Sequence, residues 1–323
     1  MKALVYEGPE QLVYRDFEDA QAQPGEVLVR VESVGICGSD MHAFLGHDAR
    51  RPAPLILGHE VAGVRMDTGA RVTVNPLVTA PDSAARLAGK ENLCPDRQII
   101  SMPPRQGGFT EMVALPEENL VEIPEGTTND QAALAEPLAC GWHTVRLCHR
   151  ISEPGGNALV IGGGAIGFGA ALALAAQGTT DIRISEPNET RRAFLVQHCP
   201  FEVIDPAQLG ADDLFDIVID GVGFAPTRAT ASQHARPGGV IGHIGLGSSE
   251  GGLDIRRMTL QEITFIGTYT YTADDFRATA QAIFDGRLGP LNWTEARALS
   301  DGAQAFADIR AGTVAAPKII LKP

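Results

Sequence analysis

The chain has 323 residues, 44% of them hydrophobic, a length that suggests two domains and a composition that supplies sizeable cores. A net charge of −14 speaks against binding a nucleic-acid backbone, although acidity also serves plain solubility. No apolar run approaches the ~20 residues of a membrane span, and the opening Met1 to Gly8 has neither an apolar signal region nor a cleavage site, so the expectation is a soluble, cytoplasmic protein with no membrane partner.

Taken in order, residues 1 to 35 are strand-like. The turn Gln23-Pro24-Gly25 opens a strand over Glu26–Val34, with Val27, Val29 and Val31 on one face and Glu26, Leu28, Arg30 and Glu32 on the other. Short strands follow at Val61–Val64, Ala70–Val74 and Phe109–Leu115, often punctuated by Pro and Gly, which points to an irregular, barrel-like β unit. From Asp130 the pattern changes. Gln131 to Arg150 has helical spacing and ends at Pro154-Gly155-Gly156. Then come strand Asn157–Ile161, a glycine turn, an Ala-rich helix to Gln177 and strand Asp181–Ser185. A helix to His198, strand Phe215–Asp220, helix Pro226–His234 and strand Gly239–Ile244 continue the alternation, which means a parallel sheet covered on both faces. Helices Ala273–Phe284 and Gly302–Ala311 and a last strand, Lys318–Lys322, complete the chain.

The chemistry concentrates between Gly35 and Glu60. Gly35-Ile36-Cys37-Gly38-Ser39-Asp40-Met41-His42 is followed by a polar loop and Leu57-Gly58-His59-Glu60. A thiolate, an imidazole and a carboxylate suit Zn²⁺, a borderline-soft ion. Gly35, Gly38 and Gly58 let the backbone turn tightly and aim Cys37 and His59 inward. Taken singly, Cys37 could be a small buried hydrophobe and His59 an ordinary core histidine. The five cysteines (Cys37, Cys94, Cys140, Cys148, Cys199) are odd in number and scattered, so they do not form a disulfide framework, and Cys37 is available to a metal.

Gly162, Gly164 and Gly167 form G-x-G-x-x-G between a strand and a helix, the context in which the motif binds a dinucleotide. The first glycine permits the turn, the second lets backbone approach a diphosphate, and the third lets helix and strand pack. The helix N-terminus then faces the anion. Ala165 and Ile166 within the turn, and Val222 and Ile244 further on, are expected to line the same site. Glu186 ends the second strand, 19 residues after Gly167, where a carboxylate accepts from the adenosine ribose hydroxyls and repels a 2′-phosphate; this predicts NAD over NADP. Arg191 and Arg192 either contact the ribose or are ordinary helix charges.

A β-rich unit with a Cys…His-Glu site, a Rossmann unit and a return to the first unit resembles the zinc-dependent medium-chain dehydrogenases. The polyol branch, the sorbitol and L-idonate dehydrogenase type, is the most similar. The motifs G-I-C-G-S-D-x-H, G-H-E, A-E-P-L-A and G-x-G-x-x-G carry the resemblance over almost the whole chain. It implies an α/β fold with a GroES-like irregular β-barrel catalytic domain (1–138 and 268–323) and a Rossmann doubly wound parallel sheet binding NAD (139–267). It further implies that Cys37, His59, Glu60 and Glu136 form the metal set, the glutamates directly or through water. Ser39 and His42 match the family's proton relay, and Lys318 matches a basic position that approaches the cofactor, or else a solvated surface lysine. The activity implied is oxidation of a secondary alcohol of a polyol or sugar acid to the ketone, by a homodimer or homotetramer. A sugar phosphate or simple alcohol is the alternative substrate. A zinc-free quinone or enone reductase of the same superfamily would lack Cys37, His59 and Glu60, and a sensor without turnover would need no relay.

The family's second, structural zinc uses C-x₂-C-x₂-C-x₇-C. Here those positions are Ala80, Ser83, Arg86 and Cys94, and one thiol cannot close a tetrahedral site, so a single catalytic zinc is expected. The substrate pocket is expected to be lined by Ala43–Arg51 and Thr268–Tyr271, with His47, Thr268, Thr270 and Tyr271 suiting a polyhydroxylated chain. Arg50 and Arg51 would favour an anionic substrate or form a solvated pair, and Phe44 and Trp142 would be pocket walls or core.

Overall fold

A computed structural model describes all 323 residues, Met1–Pro323. The chain divides into two compact units, Met1–Glu136 with Thr272–Gly286 and Leu291–Pro323, and Pro137–Tyr271 with Arg287–Pro290. No helix is long and apolar enough to cross a membrane.

The first unit is built on β-structure. Its largest sheet runs Leu120–Glu122, Arg71–Val74, Glu60–Arg65, Glu26–Gly35, Lys318–Lys322 and Thr294–Ala298, with Met112–Pro116 also pairing to Glu26–Gly35. The alternation expected along Glu26–Val34 holds only to Val31. The register with Glu60–Arg65 shifts between Val31 and Ser33, and beyond that bulge Ser33, Val34 and Gly35 are all buried. A bulge inserts one residue and swaps which side chains face the core. The final strand, Lys318–Lys322, is antiparallel to Glu26–Gly35 and parallel to Thr294–Ala298, a strand whose polar sequence gave no signal.

The second unit is a six-stranded, all-parallel sheet. Its order is Glu202–Ile204, Asp181–Ser185, Asn157–Ile161, Phe215–Asp220, Ala235–His243, Thr264–Gly267. The order reverses direction beside Asn157–Ile161, and in such doubly wound sheets ligands bind outside the strands' carboxyl ends at that switch point. Leu159, Ile161, Val218, Ile241 and Ala231 share one buried core cluster. The Ala-rich helix Ala165–Ala176 is buried along most of its length because small residues let it sit close to its neighbour. A Cβ on Gly141 would lie 2.8 Å from the Ala170 Cα.

The single helix expected over Gln131–Arg150 is two: Asn129–Ala133 and Ala135–Cys148. Pro137 explains the break. Continued inward, its ring would clash with the carbonyl of Ala133 and leave it without a donor, whereas proline is tolerated in the first turn of a new helix. The restart leaves Glu136 in that first turn.

Gly167 shows how tightly strand and helix are joined: a Cβ there would lie 1.8 Å from the Gly162 carbonyl oxygen. Gly167→Ala is expected to lower stability by about 1–3 kcal/mol, the usual range for overpacking, as measured by denaturant unfolding.

Candidate functional site

Two antiparallel strands bring the first cluster together. Glu26–Gly35 and Glu60–Arg65 pair with Gly35 opposite Glu60, so Cys37, two residues past the strand, comes beside the His59-Glu60 pair. Gly35 is dictated by the carboxylate: a Cβ there would stand 1.8 Å from Glu60 Oε2. Gly58 has φ +89° and no room for a side chain, because a Cβ would lie 2.5 Å from the Phe109 ring. One ligand atom each from Cys37, His59 and Glu60 lies within 4.8 Å of the others.

The two oxygens of Glu60 differ. Oε1 accepts from the Lys318 ammonium at 2.6 Å, and Lys318 also donates to the Ile36 carbonyl at 2.8 Å. Oε2 is buried and has no hydrogen-bond partner. A buried carboxylate oxygen left without a donor is costly, and a cation at the cluster removes that cost. With sulfur, nitrogen and oxygen donors converging on it, the centre fits zinc.

Charge around the cluster is closely compensated. Asp40, fully buried, accepts from the backbone N–H of Cys37 at 3.0 Å and of Gly58 at 3.1 Å, and faces His59 Nδ1 at 3.4 Å. A carboxylate on the far nitrogen of a ligand imidazole fixes its ring and tautomer. Burial works against protonation of His59, but Asp40 and Cys37 outweigh it and hold its pKa well above the ordinary value. Burial raises the Asp40 pKa, yet His59, Arg51 and the Cys37 N–H together bring it below the usual carboxylate range. Burial opposes the Lys318 charge too, and Glu60, Cys37 and Glu136 more than compensate. The reading of Lys318 as a solvated surface lysine is therefore corrected: it is 4% exposed, since a paired lysine can be buried where an unpaired one cannot. Glu136 is buried and its charge reaches Lys318, but it is not one of the three residues whose donor atoms converge.

Ser39 and His42 lie on the helix Gly38–Phe44 that follows Cys37, Ser39 partly buried and His42 exposed. The loop arginines differ. Arg50 is exposed, as expected of a solvated residue, and bound to Asp48 at 2.8 and 2.9 Å, whereas Arg51 is 3% exposed with its donors on Ser39 and Ser101. Phe44 and Trp142 are core, 7% and 8% exposed, and Tyr271 is buried as well. Thr268 shares a 2.7 Å hydrogen bond with Thr144, while Thr270 Oγ1 is buried without a partner and its backbone is left-handed at φ 47°. In the loop that holds Ala80, Ser83, Arg86 and Cys94, Ser83 caps a short helix and Arg86 grips Glu118 at 2.6 and 2.7 Å.

The glycine turn in the second unit separates three roles. Gly162, at φ +97°, has Val222 against it, and Gly167 has the Gly162 carbonyl. Gly164 is different. Its φ of −72° suits any residue, and a Cβ there would meet nothing nearer than the Arg191 guanidinium at 3.9 Å. Neither packing nor backbone within the chain requires glycine at that position, which is what close approach of a diphosphate would require. Gly164 caps the helix whose first turn holds Ala165 and Ile166, so free N–H groups face the same space. The Glu186 carboxylate, 4% exposed, accepts from the Gly163 N–H and the Asn188 N–H, both at 2.8 Å. Arg192 is spent on the Glu186 and Pro187 carbonyls and Asp205, whereas Arg191 Nε is buried without a partner. Val222 and Ile244 follow adjacent strands at the sheet's carboxyl edge, both tied to Asp220.

Three residues of this architecture were missed from sequence. Asp40 had a signal, an acidic residue three positions after Cys37, the spacing of a helix-capping pair. Ser101 had none, because its role comes from long-range contacts with Arg51 and His59, and Asp220 ends its strand by accepting from the nearby Val222 and Gly223 N–H groups.

Residues 23–125 match the family model described as alcohol dehydrogenase GroES-like domain, and residues 165–285 that described as zinc-binding dehydrogenase. The chain is 30% identical to the Saccharomyces cerevisiae protein named "Probable diacetyl reductase [(R)-acetoin forming] 2", over 89% of this chain and 81% of that one. It is 29% identical to the L-galactonate-5-dehydrogenase of Escherichia coli K12, over 89% and 88%. Among solved structures, a zinc-binding dehydrogenase of Sinorhizobium meliloti bound to NADP superposes with a TM-score of 0.89 at 25% identity, over 100% of this chain and 99% of that one.

The raised pKa of His59 has a sign that can be tested. In the metal-free protein the imidazolium contributes stability that is fully present below its unfolded pKa of ~6.5 and is lost as pH rises through the raised folded value. Metal-free protein is expected to show a falling denaturation midpoint from pH 6 to pH 9, and His59→Gln should flatten that slope. Zinc-loaded protein should lack it, because a ligand imidazole is neutral throughout.

Proposed function

This chain belongs to the zinc-binding dehydrogenases with an alcohol dehydrogenase GroES-like domain, and from that premise we propose that it oxidises a secondary alcohol of a polyol or sugar acid to the ketone, passing hydride to NAD. The observation that carries the proposal is the convergence of a thiol, an imidazole and a carboxylate donor from Cys37, His59 and Glu60.

In this reading Cys37, His59 and Glu60 Oε2 hold one zinc, with Glu136 beside them. Zinc, when bound, supplies a Lewis acid that makes the substrate hydroxyl more acidic. The residues of the chain do the rest. Lys318 keeps Glu60 from rotating by holding its other oxygen, and Asp40 keeps the His59 ring in place. Ser39 accepts the hydrogen bond of the departing proton. His42, exposed on the same helix, passes it to water. The helix beginning at Ala165 and the bare Gly164 receive the diphosphate of NAD. Glu186 faces the adenosine ribose, where its charge disfavours a 2′-phosphate and supports NAD over NADP. The Arg86–Glu118 pair and a single cysteine in the second loop support one zinc per chain. Homodimers or homotetramers form in this reading through the sheet edge at Thr264–Gly267, which ends the strand order.

An activity screen of polyols and sugar acids with NAD⁺ tests the class directly. Cys37→Ala is expected to abolish turnover while NAD still binds, as followed by calorimetry; activity retained without metal would remove the zinc mechanism. Elemental analysis should give one zinc per chain, and two would overturn the single-site reading. A higher kcat/KM with NADP than with NAD would sink the role given to Glu186.

A further inference from the structure

We propose that Arg51 is a positioning residue that sets the proton-relay hydroxyl of Ser39, an inference that rests on the dehydrogenase reading above. Arg51 comes from the polar loop between the two halves of the metal motif, yet only 3% of it is exposed. Its guanidinium is almost wholly consumed. Nη1 donates to the Ser39 carbonyl at 2.7 Å, Nε to the Ser101 carbonyl at 3.0 Å and Nη2 to the Ser101 hydroxyl at 3.3 Å, with Asp48 at 3.6 Å as the nearest carboxylate with which it pairs. A buried guanidinium is costly to desolvate, and Asp48 at that distance, with the charge of Asp40 nearby, offsets only part of the cost. The group therefore serves the geometry of what it holds.

What it holds is specific. Ser101 is fully buried and, although not glycine, has a left-handed backbone at φ 71°, a conformation that persists only where the surroundings impose it. Arg51 grips both polar atoms of that residue with one edge of its fork. The other edge grips the carbonyl of Ser39, in the first turn of the helix Gly38–Phe44. Seven residues make too short a helix to stand by itself. One end of that first turn is tied by Asp40 to the Cys37 N–H, and the Ser39 carbonyl is tied by Arg51. A planar fork with fixed donor directions transmits position; a lysine at the same place would reach one partner at a time.

The test is a double-mutant cycle of Arg51→Met and Ser39→Ala, with zinc content measured for each variant. Arg51→Met is expected to lower kcat about tenfold or more with KM within about twofold, and to keep its zinc. Because Arg51 acts through Ser39, the double variant should fall no more than about twofold below Ser39→Ala alone. Losses that multiply, or zinc lost from Arg51→Met, would overturn the assignment, since the arginine would then support the fold or the ligand set and not the relay. Arg51→Lys is run in the same cycle, so that a folding defect in the methionine variant leaves a readout; its kcat should lie between the two. Full kcat in Ser39→Ala would instead show that the relay reading itself is wrong, whatever Arg51 does.

Discussion

Glu60 is the point on which the first unit turns. Its carboxylate is buried against a glycine and lies by a thiol and an imidazole, with one oxygen held by a buried ammonium and the other without a hydrogen-bond partner. Each part depends on the others. Any side chain at residue 35 would occupy the space of the carboxylate. Without Lys318 the carboxylate would be a buried, unpaired charge, which proteins avoid or neutralise. Without Glu60, Lys318 would be in the same position. The pair is assembled from opposite ends of the chain, because the last strand returns to lie beside Glu26–Gly35 with Ile320 opposite Gly35. The convergence of these donors is thus a consequence of sheet topology as much as of the Cys and His-Glu motifs.

The second unit solves a different problem with the same economy of side chains. Gly162 and Gly167 are glycines because the fold has no room for more. Gly164 has room and is bare all the same. That contrast separates packing from binding within one motif. Glu60 Oε2 and Arg191 Nε, both buried without a hydrogen-bond partner, belong to these two features. Unsatisfied buried groups are rare in native proteins, and each of these two stands where a ligand is expected.

The buried cations explain where reading by residue type goes astray. Lysine and arginine are mostly exposed, so Lys318 and Arg51 were expected in solvent. Both are buried because specific partners more than 10 residues away in sequence, Glu60 for one and Ser39 and Ser101 for the other, offset desolvation. No local pattern encodes such a partner. Glu26–Val34 illustrates the same limit in the backbone: its alternation is clear to Val31 and is then overridden by a bulge that answers to the neighbouring strand.

The division between the two kinds of information follows from the range of the forces involved. Local periodicity, glycine and proline placement and donor chemistry were enough, from sequence, for the β-rich and parallel-sheet halves. They also sufficed for the turn Gly162–Gly167 and for Cys37, His59 and Glu60 as one donor set, since these depend on backbone sterics and short spacings. Only the tertiary structure decided that a new helix starts at Ala135 with Glu136 in its first turn, that Glu60 has one oxygen spent and one unspent, and that Asp40 stands behind His59. It also decided that Arg51 and Lys318 are internal. Those outcomes are set by which distant groups can compensate a buried charge, and burial and pairing are properties of the assembled sheet.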